Sequence, residues 1–267
     1  MEKGRPVSFF PRLLNMFRGD RDVTRYFRDY ANREISAFST TDEIEALPAS
    51  QTLRALVESL WYVYGAGVEG DIVEFGTMSG LTASRMAKTM SVLERKMPKG
   101  RRLHLFDSFE GLPEPAAEPD RTSVHVLSGD WRAGSCKVLS EDQLHQLCAK
   151  QYDPARLCIY PGWFSDTVPT IPSDTKLAML HVDCDLYQST MDALAPCFER
   201  GLISEGAVVH FDDWNCNRAS QKHGERRAWR EISERFNIIA SDCGSYSWHG
   251  QKFIVHSYVA TPAAEAN

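Results

Sequence analysis

The chain lacks several features that would have settled its class at once. No stretch of its 267 residues reaches about 18 consecutive apolar residues, which excludes a spanning helix. The apolar patch near the N-terminus is broken by Pro11, Arg12 and Arg18 before it attains the length of a secretory h-region, and no A-x-A site follows. The seven cysteines form no C-x-x-C pair and no zinc-like spacing, so they read as reduced thiols in a cytoplasm. A net positive charge is also lacking. With a net charge of −6 and pI near 5.8 there is no general basic footprint for nucleic acid or an anionic membrane. The two short basic stretches, RRLH at 101–104 and GERRAWRE at 224–231, read as solvated flanks of strands or helices. There is no internal repeat. What remains is an apolar fraction of 43%, ample for the core of one large globular domain.

The pattern divides the chain into a helical beginning, a core and a tail. Residues 12–66 place aromatic and aliphatic residues at helical spacing, with a glycine stop after TLRALVESLWYVYGAG. The core then alternates short apolar runs with helical ones: strands at 71–76, 102–107, 156–162, 177–183 and 207–213, with helices at 81–97 and 189–202. Such alternation predicts an α/β fold, a mostly parallel sheet wound with helices on both faces. A charged helix at 226–236 and two late strands, NIIASD and KFIVHSY, suggest a hairpin that forms an antiparallel edge. The predicted division is 1–66, an N-terminal helical segment; 67–260, the α/β domain; and 261–267, a disordered tail.

In an open parallel sheet, ligands bind beyond the carboxyl ends of the strands. The first strand ends in VEFGTMSG, where Gly76 and Gly80 permit a tight turn. This is not the G-x-G-x-x-G of dinucleotide enzymes, because Met78 stands where the second glycine would. The second strand ends in Asp107, about 30 positions further on, where a carboxylate can accept two hydrogen bonds from a ribose diol. Turn and acid together fit an adenosine-containing ligand; taken singly, each also reads as an ordinary turn and a helix or loop cap. Asp183 closes the fourth core strand, and Asp212 and Asp213 close the fifth, so the three acids can converge at neighbouring strand ends. Carboxylate oxygens are the ligands of a hard ion such as Mg2+, and without a cation such a cluster repels itself. The alternative is that Asp185 and Asp213 cap the helices that follow.

VEFGTMSG, LFDSFEGLP, GDW at 129–131, GWFSDTVP at 162–169, HVDCDLYQSTMDAL at 181–194 and FDDW at 211–214 together resemble the macrocin O-methyltransferase family, a branch of the class I S-adenosylmethionine-dependent methyltransferases. The resemblance implies a Rossmann-like, doubly wound, mostly parallel seven-stranded sheet with an antiparallel edge strand. It implies a Mg2+-dependent O-methyltransferase acting on a sugar hydroxyl of a natural product, nucleotide sugar or glycan. It carries Asp183, Asp212 and Asp213 to the metal and Asp185 to the base that takes the hydroxyl proton. It carries Glu74, Gly76, Thr77, Ser79 and Gly80 to the methionine part of the cofactor, Asp107 to its ribose, Ser108 and Phe109 to the adenosine, and Asp130 and Trp131 to the adenine. Trp131 reads equally as packing, and Trp163 and Phe164 read as core or loop anchors. The role of Asp166 is open. His181 and His210, each two residues before an acid, read as buried supports behind the acids. The family has tyrosine where Trp214 stands and an aliphatic residue where His210 stands, departures that leave the acceptor open.

The helices before residue 66 and the loop at 113–122 read as acceptor lids or as a homodimer surface. The partner implied is a small glycoside or sugar, with no nucleic acid and no membrane. Three other readings stay open: a nicotinamide oxidoreductase, a non-catalytic adenosyl-binding protein, and a catechol-type metal-dependent O-methyltransferase. Met78 in the turn disfavours the first, and the four clustered carboxylates disfavour the second.

Overall fold

The computed structural model describes residues 50–260; the segment 1–49 and the tail from 261, with the helices and disorder expected there, lie outside the described residues. Seven strands form one sheet in the order β3-β2-β1-β4-β5-β7-β6. They are β1 (Asp71–Phe75), β2 (Leu103–Asp107), β3 (Leu157–Pro161), β4 (Leu177–Val182), β5 (Ile203–Phe211), β6 (Ile239–Tyr246) and β7 (Gly250–Ser257). β1 to β5 pair in parallel. β7 runs antiparallel to β5 and β6, so the late hairpin closes this side of the sheet. β1 and β4 are near-continuous runs of buried residues because helices cover both faces.

Alternation along the strands splits the core in two. On one face Ile72, Leu105, Met179 and Val208 pack under α1 (Gln51–Gly65), α2 (Leu81–Lys96) and, further along the chain, the helix Glu141–Ala149. On the other, Phe75, Phe106, Val182 and Phe211 pack under Tyr187–Glu199 and Gly224–Arg235. Between residues 112 and 150, where the apolar pattern predicted no element, lie the short helices α3 (Glu118–Arg121) and α4 (Val124–Leu127), then α5 (Glu141–Ala149). α5 is opened by a capping box between Ser140 and Gln143. The remaining α-helices among the described residues are α6 (Phe164–Thr167), α7 (Tyr187–Glu199) and α8 (Gly224–Arg235). The first residue before α7, Leu186, has no side chain to cap it. Asp120, from α3, does so instead, accepting the Tyr187 and Gln188 N–H groups at 2.6 and 3.1 Å.

The chain runs outward from β1 through β2 to β3, then returns across the sheet to β4. The crevice at a reversal of this kind lies between β1 and β4, at their carboxyl ends.

The opposite end of the sheet is tied by a buried cation. Arg101, in the stretch read as a solvated flank, is only 4% exposed. Its guanidinium donates to the carbonyls of Val63, Val68 and Gly70 and lies 4.7 Å from the centre of the Tyr64 ring. Tyr64 in turn donates to Glu94 at 2.8 Å. Arg101→Met removes a donor from each of those carbonyls, of which Val63 keeps the Val68 N–H, and is expected to cost about 3 kcal/mol. For a domain of this size that lowers Tm by roughly 6–12 °C, read by thermal and urea melts.

Candidate active site

β1 ends at Phe75, and the chain turns at Gly76 with φ +88°. A β-carbon there would lie 2.0 Å from the Asp183 carbonyl oxygen, so only glycine fits. The turn is held by Asp107. Its Oδ2 accepts the Thr77 N–H and hydroxyl, both at 2.8 Å, and the Met78 N–H at 3.1 Å, while Oδ1 accepts the Phe109 N–H at 2.7 Å. The acid expected to face a ribose diol therefore builds the turn, and Oδ1, with one donor, is its freer oxygen. Gly80 opens α2 at φ +70°, packed against Leu139, Leu144 and Leu147.

One strand over, the Asp183 N–H donates to the Phe75 carbonyl at 2.9 Å, which sets the first acid beside the glycine turn. Cys184 turns into the core. Asp185 then adopts a left-handed φ of +57°, a conformation that costs a β-carbon-bearing residue about 1 kcal/mol and swings the chain back over the strand end. Oxygens of Asp183, Asp185 and Asp213 consequently lie within 4.8 Å of one another. Glu225, fully buried in the first turn of α8, accepts the Asp213 N–H at 2.8 Å, and Cys216 donates its thiol to Asp213 Oδ1 at 3.3 Å. Asp213 Oδ2 is buried with no hydrogen-bond partner.

Burial, reinforced by the neighbouring carboxylates, holds the carboxyls of Asp183 and Asp185 well above their usual range. The same causes push Asp213 up to about 6. An all-oxygen set carrying this much uncompensated charge fits a hard divalent cation.

Asp212, expected with Asp183 and Asp213 in the metal set, also lines the cleft, but its carboxylate is not among the three that cluster within 4.8 Å. Consecutive residues at a strand end point to opposite faces, so Asp212 shares the side of His210 and His181 rather than that of Asp213. Its Oδ1 lies 3.9 Å from His181 Nε2, 3.6 Å from His249 Nδ1 and 3.5 Å from the Tyr246 hydroxyl. The 3.9 Å contact is an ion pair rather than a hydrogen bond. His181 Nδ1 meets Glu74 Oε1 at 2.8 Å, which completes a buried acid–imidazole–acid row. Burial works against a charge on His181, but the two flanking acids outweigh it and raise its pKa to about 10. Asp212 is held below its usual range: burial pushes it up, and His181 and His249 pull it down further. His210 bonds Ser59 at 2.8 Å, and burial pushes its pKa well down, so it is a neutral core histidine.

These elements wall a cleft of about 960 Å3. Of the residues assigned to the cofactor by resemblance, Gly76, Asp107, Ser108, Asp130 and Trp131 lie on its wall, together with the four strand-end acids. Glu74, Thr77, Ser79, Gly80 and Phe109 are not on the wall; Glu74 is fully buried behind it on His181. Trp163 and Phe164, read as anchors, do line the cleft, and Trp163 is 36% exposed. Sequence reasoning missed Asp120, Glu225, Trp248 and His249. No local signal marks them, since each acts on a residue from a distant part of the chain or from across a hairpin.

The family model for macrocin O-methyltransferases matches residues 45–248. Demethyldecarbamoylnovobiocin O-methyltransferase of Streptomyces niveus is 31% identical over 199 residues, covering 72% of this chain and 70% of its own. The 8-demethyl-8-(2,3-dimethoxy-alpha-L-rhamnosyl)-tetracenomycin-C 4'-O-methyltransferase of Streptomyces olivaceus is 35% identical, covering 66% and 65%. Among solved structures, the O-methyltransferase NovP superposes with a TM-score of 0.62 at 23% identity over 88% of this chain and 100% of its own. The calicheamicin methyltransferase CalS11 gives 0.61 at 20% identity over 95% and 99%. These two likenesses establish the fold.

Gly76→Ala is expected to destabilise the protein by more than about 2 kcal/mol, from strain and collision with the Asp183 carbonyl. Gly65→Ala, at a helical site with open space around it, is expected to be neutral or to stabilise by up to about 1 kcal/mol. Urea unfolding of the pair checks both.

Proposed function

The chain belongs to the macrocin O-methyltransferase family, and on that premise we propose that it transfers a methyl group from S-adenosylmethionine to a sugar hydroxyl with the help of a divalent cation such as Mg2+. The observation that carries the reading is the convergence of Asp183, Asp185 and Asp213 beside the Gly76 turn, at the reversal point of the sheet. Sugar as the acceptor class is supported by relatives whose names include a rhamnosyl tetracenomycin and mycinamicin III. That favours sugar over a catechol. We further propose a cytoplasmic enzyme in which residues 67–260 form the α/β domain and the segment before residue 50 serves as lid or dimer surface; α1, within the 1–66 expected for that role, packs into the core instead. Among the described residues, no helix is long and apolar enough to cross a membrane.

In this reading the turn Gly76–Gly80 and Asp107 seat the methionine and ribose parts of the cofactor, with Ser108, Asp130 and Trp131 along the adenosine. Asp183 and Asp213 would hold the cation, and the family pattern adds Asp212 as a third ligand. Such a cation would offset the repulsion between the acids and acidify a nearby hydroxyl, and the cofactor would supply an electrophilic methyl on sulfur. Asp185 accepts the hydroxyl proton. Its left-handed backbone and its place among the clustered acids on the cleft wall suit that role. His181 and Glu74 fix Asp212 from behind. Positioning of the two reactants and exclusion of water supply the remaining rate enhancement.

Calorimetric titration with S-adenosylhomocysteine is expected to give micromolar binding, weakened by Asp107→Ala, with none for NADH. Absence of S-adenosylhomocysteine binding contradicts the cofactor assignment, and binding of NADH supports an oxidoreductase. Asp185→Asn is expected to lower kcat by about 10²–10⁴-fold while leaving S-adenosylhomocysteine affinity within twofold. An Asp185→Asn enzyme as active as the parent rules out Asp185 as the base. Activity should also disappear with EDTA and return with Mg2+.

A further inference from the structure

We infer that Asp120, on the cleft wall, is the positioning residue for Asp185: it holds the turn that sets the proposed base over the strand end. This deepens the methyl-transfer reading, on which the role of Asp185 rests.

The first observation is strain. Asp185 is the central residue of a three-residue turn, in which the Leu186 N–H donates to the Cys184 carbonyl and Asp185 sits at φ +57°. A turn of this hand is the rare, strained form, and a residue with a β-carbon stays in it only where the neighbouring structure holds both ends. On the near side the hold comes from β1: the Asp183 N–H at 2.9 Å and the Cys184 thiol at 3.8 Å both donate to the Phe75 carbonyl. The far side has no such anchor of its own. Leu186 precedes α7 and offers no polar side chain to the free N–H groups of the helix's first turn.

The second observation is what supplies that anchor. Residues 112–135 leave the sheet between β2 and α5 as a closed strap, its neck joined where the Leu112 N–H donates to the Ser135 carbonyl at 2.8 Å and the Gly134 N–H to the Leu112 carbonyl at 2.9 Å. Asp120, only 1% exposed on this strap, gives one carboxylate oxygen to the Tyr187 N–H and the other to the Gln188 N–H. Leu186 itself is buried against Trp131 of the strap and Cys216, with Leu112 and Val126 packed on them. The strap is not free to follow Asp185. Glu118 pairs with Arg227 at 3.2 Å, the Thr122 hydroxyl meets His223 Nε2 at 3.2 Å, and the His125 N–H donates to Asn217 Oδ1 at 3.2 Å. One strap therefore grips the chain just after Asp185 and the chain that follows Asp213, and it spans the two strand ends from which the acid cluster is drawn. With the Asp120 grip released, the turn loses its far anchor and Asp185 can relax to an unstrained φ.

The test follows hydrogen exchange amide by amide, by NMR, in the full-length protein. The Leu186 N–H closes the strained turn, the Tyr187 and Gln188 N–H groups report the cap, and Val73 and Leu180, paired in the sheet, report global opening. In Asp120→Ala the Leu186 amide is expected to exchange about tenfold faster than in the parent, with Val73 and Leu180 unchanged. Asp120→Asn, which keeps one acceptor oxygen, should fall between the two, and it carries the same comparison should Asp120→Ala fail to fold. A residue that only capped α7 would move Tyr187 and Gln188 alone. Faster exchange confined to those two amides, or spread equally to Val73 and Leu180, overturns the inference. So does a crystal structure of Asp120→Ala in which Asp185 keeps its left-handed φ and its carboxylate stays clustered with Asp183 and Asp213. Failure of the parent enzyme to bind S-adenosylhomocysteine would instead count against the methyl-transfer reading, and the amide measurement would still decide what holds Asp185.

Discussion

The carboxyl edge of the sheet depends on one close approach, that of Gly76 at the end of β1 to Asp183 at the end of β4. No β-carbon fits between them, and the Asp183 N–H closes onto the Phe75 carbonyl. This contact brings a cofactor-type turn and an acid cluster to the same point. Were β1 and β4 a residue farther apart in register, the turn and the acids would serve separate clefts. Asp183, Asp185 and Asp213 gather within 4.8 Å of one another, while Asp212, on the same cleft wall, lies beside the imidazole row.

The two groups of acids are treated in opposite ways. Asp212 and Glu74 share a histidine between them, and their charge is balanced within the fold. Asp183, Asp185 and Asp213 have no such cation, and burial with mutual repulsion raises their proton affinities. In the proposed reading the adjacent set receives its positive charge from outside, from a divalent cation and a sulfonium cofactor.

Much of this was legible in the sequence. Parallel strands buried on both faces write themselves as continuous apolar runs, so β1, β2, β4 and their acidic ends were placed to within a residue or two. β5 starts four residues earlier than its apolar run, because Ser204 and Glu205 hide the first part of the strand. The short helices between 112 and 150 carry too few turns to show a period, and α5 was missed although its Ser140–Gln143 box was present. In the site, the identities of the acids were readable but not their grouping. Whether Asp212 joins Asp213 or His181 depends on which face each side chain takes at the strand end. Likewise Asp107 was correctly placed at a strand end, but its clasp on Thr77 and Met78 spans about 30 residues of sequence and has no local signature. Arg101 read as a surface charge because nothing nearby in sequence announces the three carbonyls that surround it.

The account's central claim is that cofactor and cation occupy adjoining places at the β1–β4 reversal. Its most direct test is a crystal of the protein grown with S-adenosylhomocysteine and Mn2+, with anomalous scattering used to locate the metal. The account predicts an anomalous peak coordinated by Asp183 and Asp213, with the homocysteine part of the ligand against the Gly76 turn. A bound ligand with no peak at these carboxylates, or a peak held elsewhere in the fold, would contradict it.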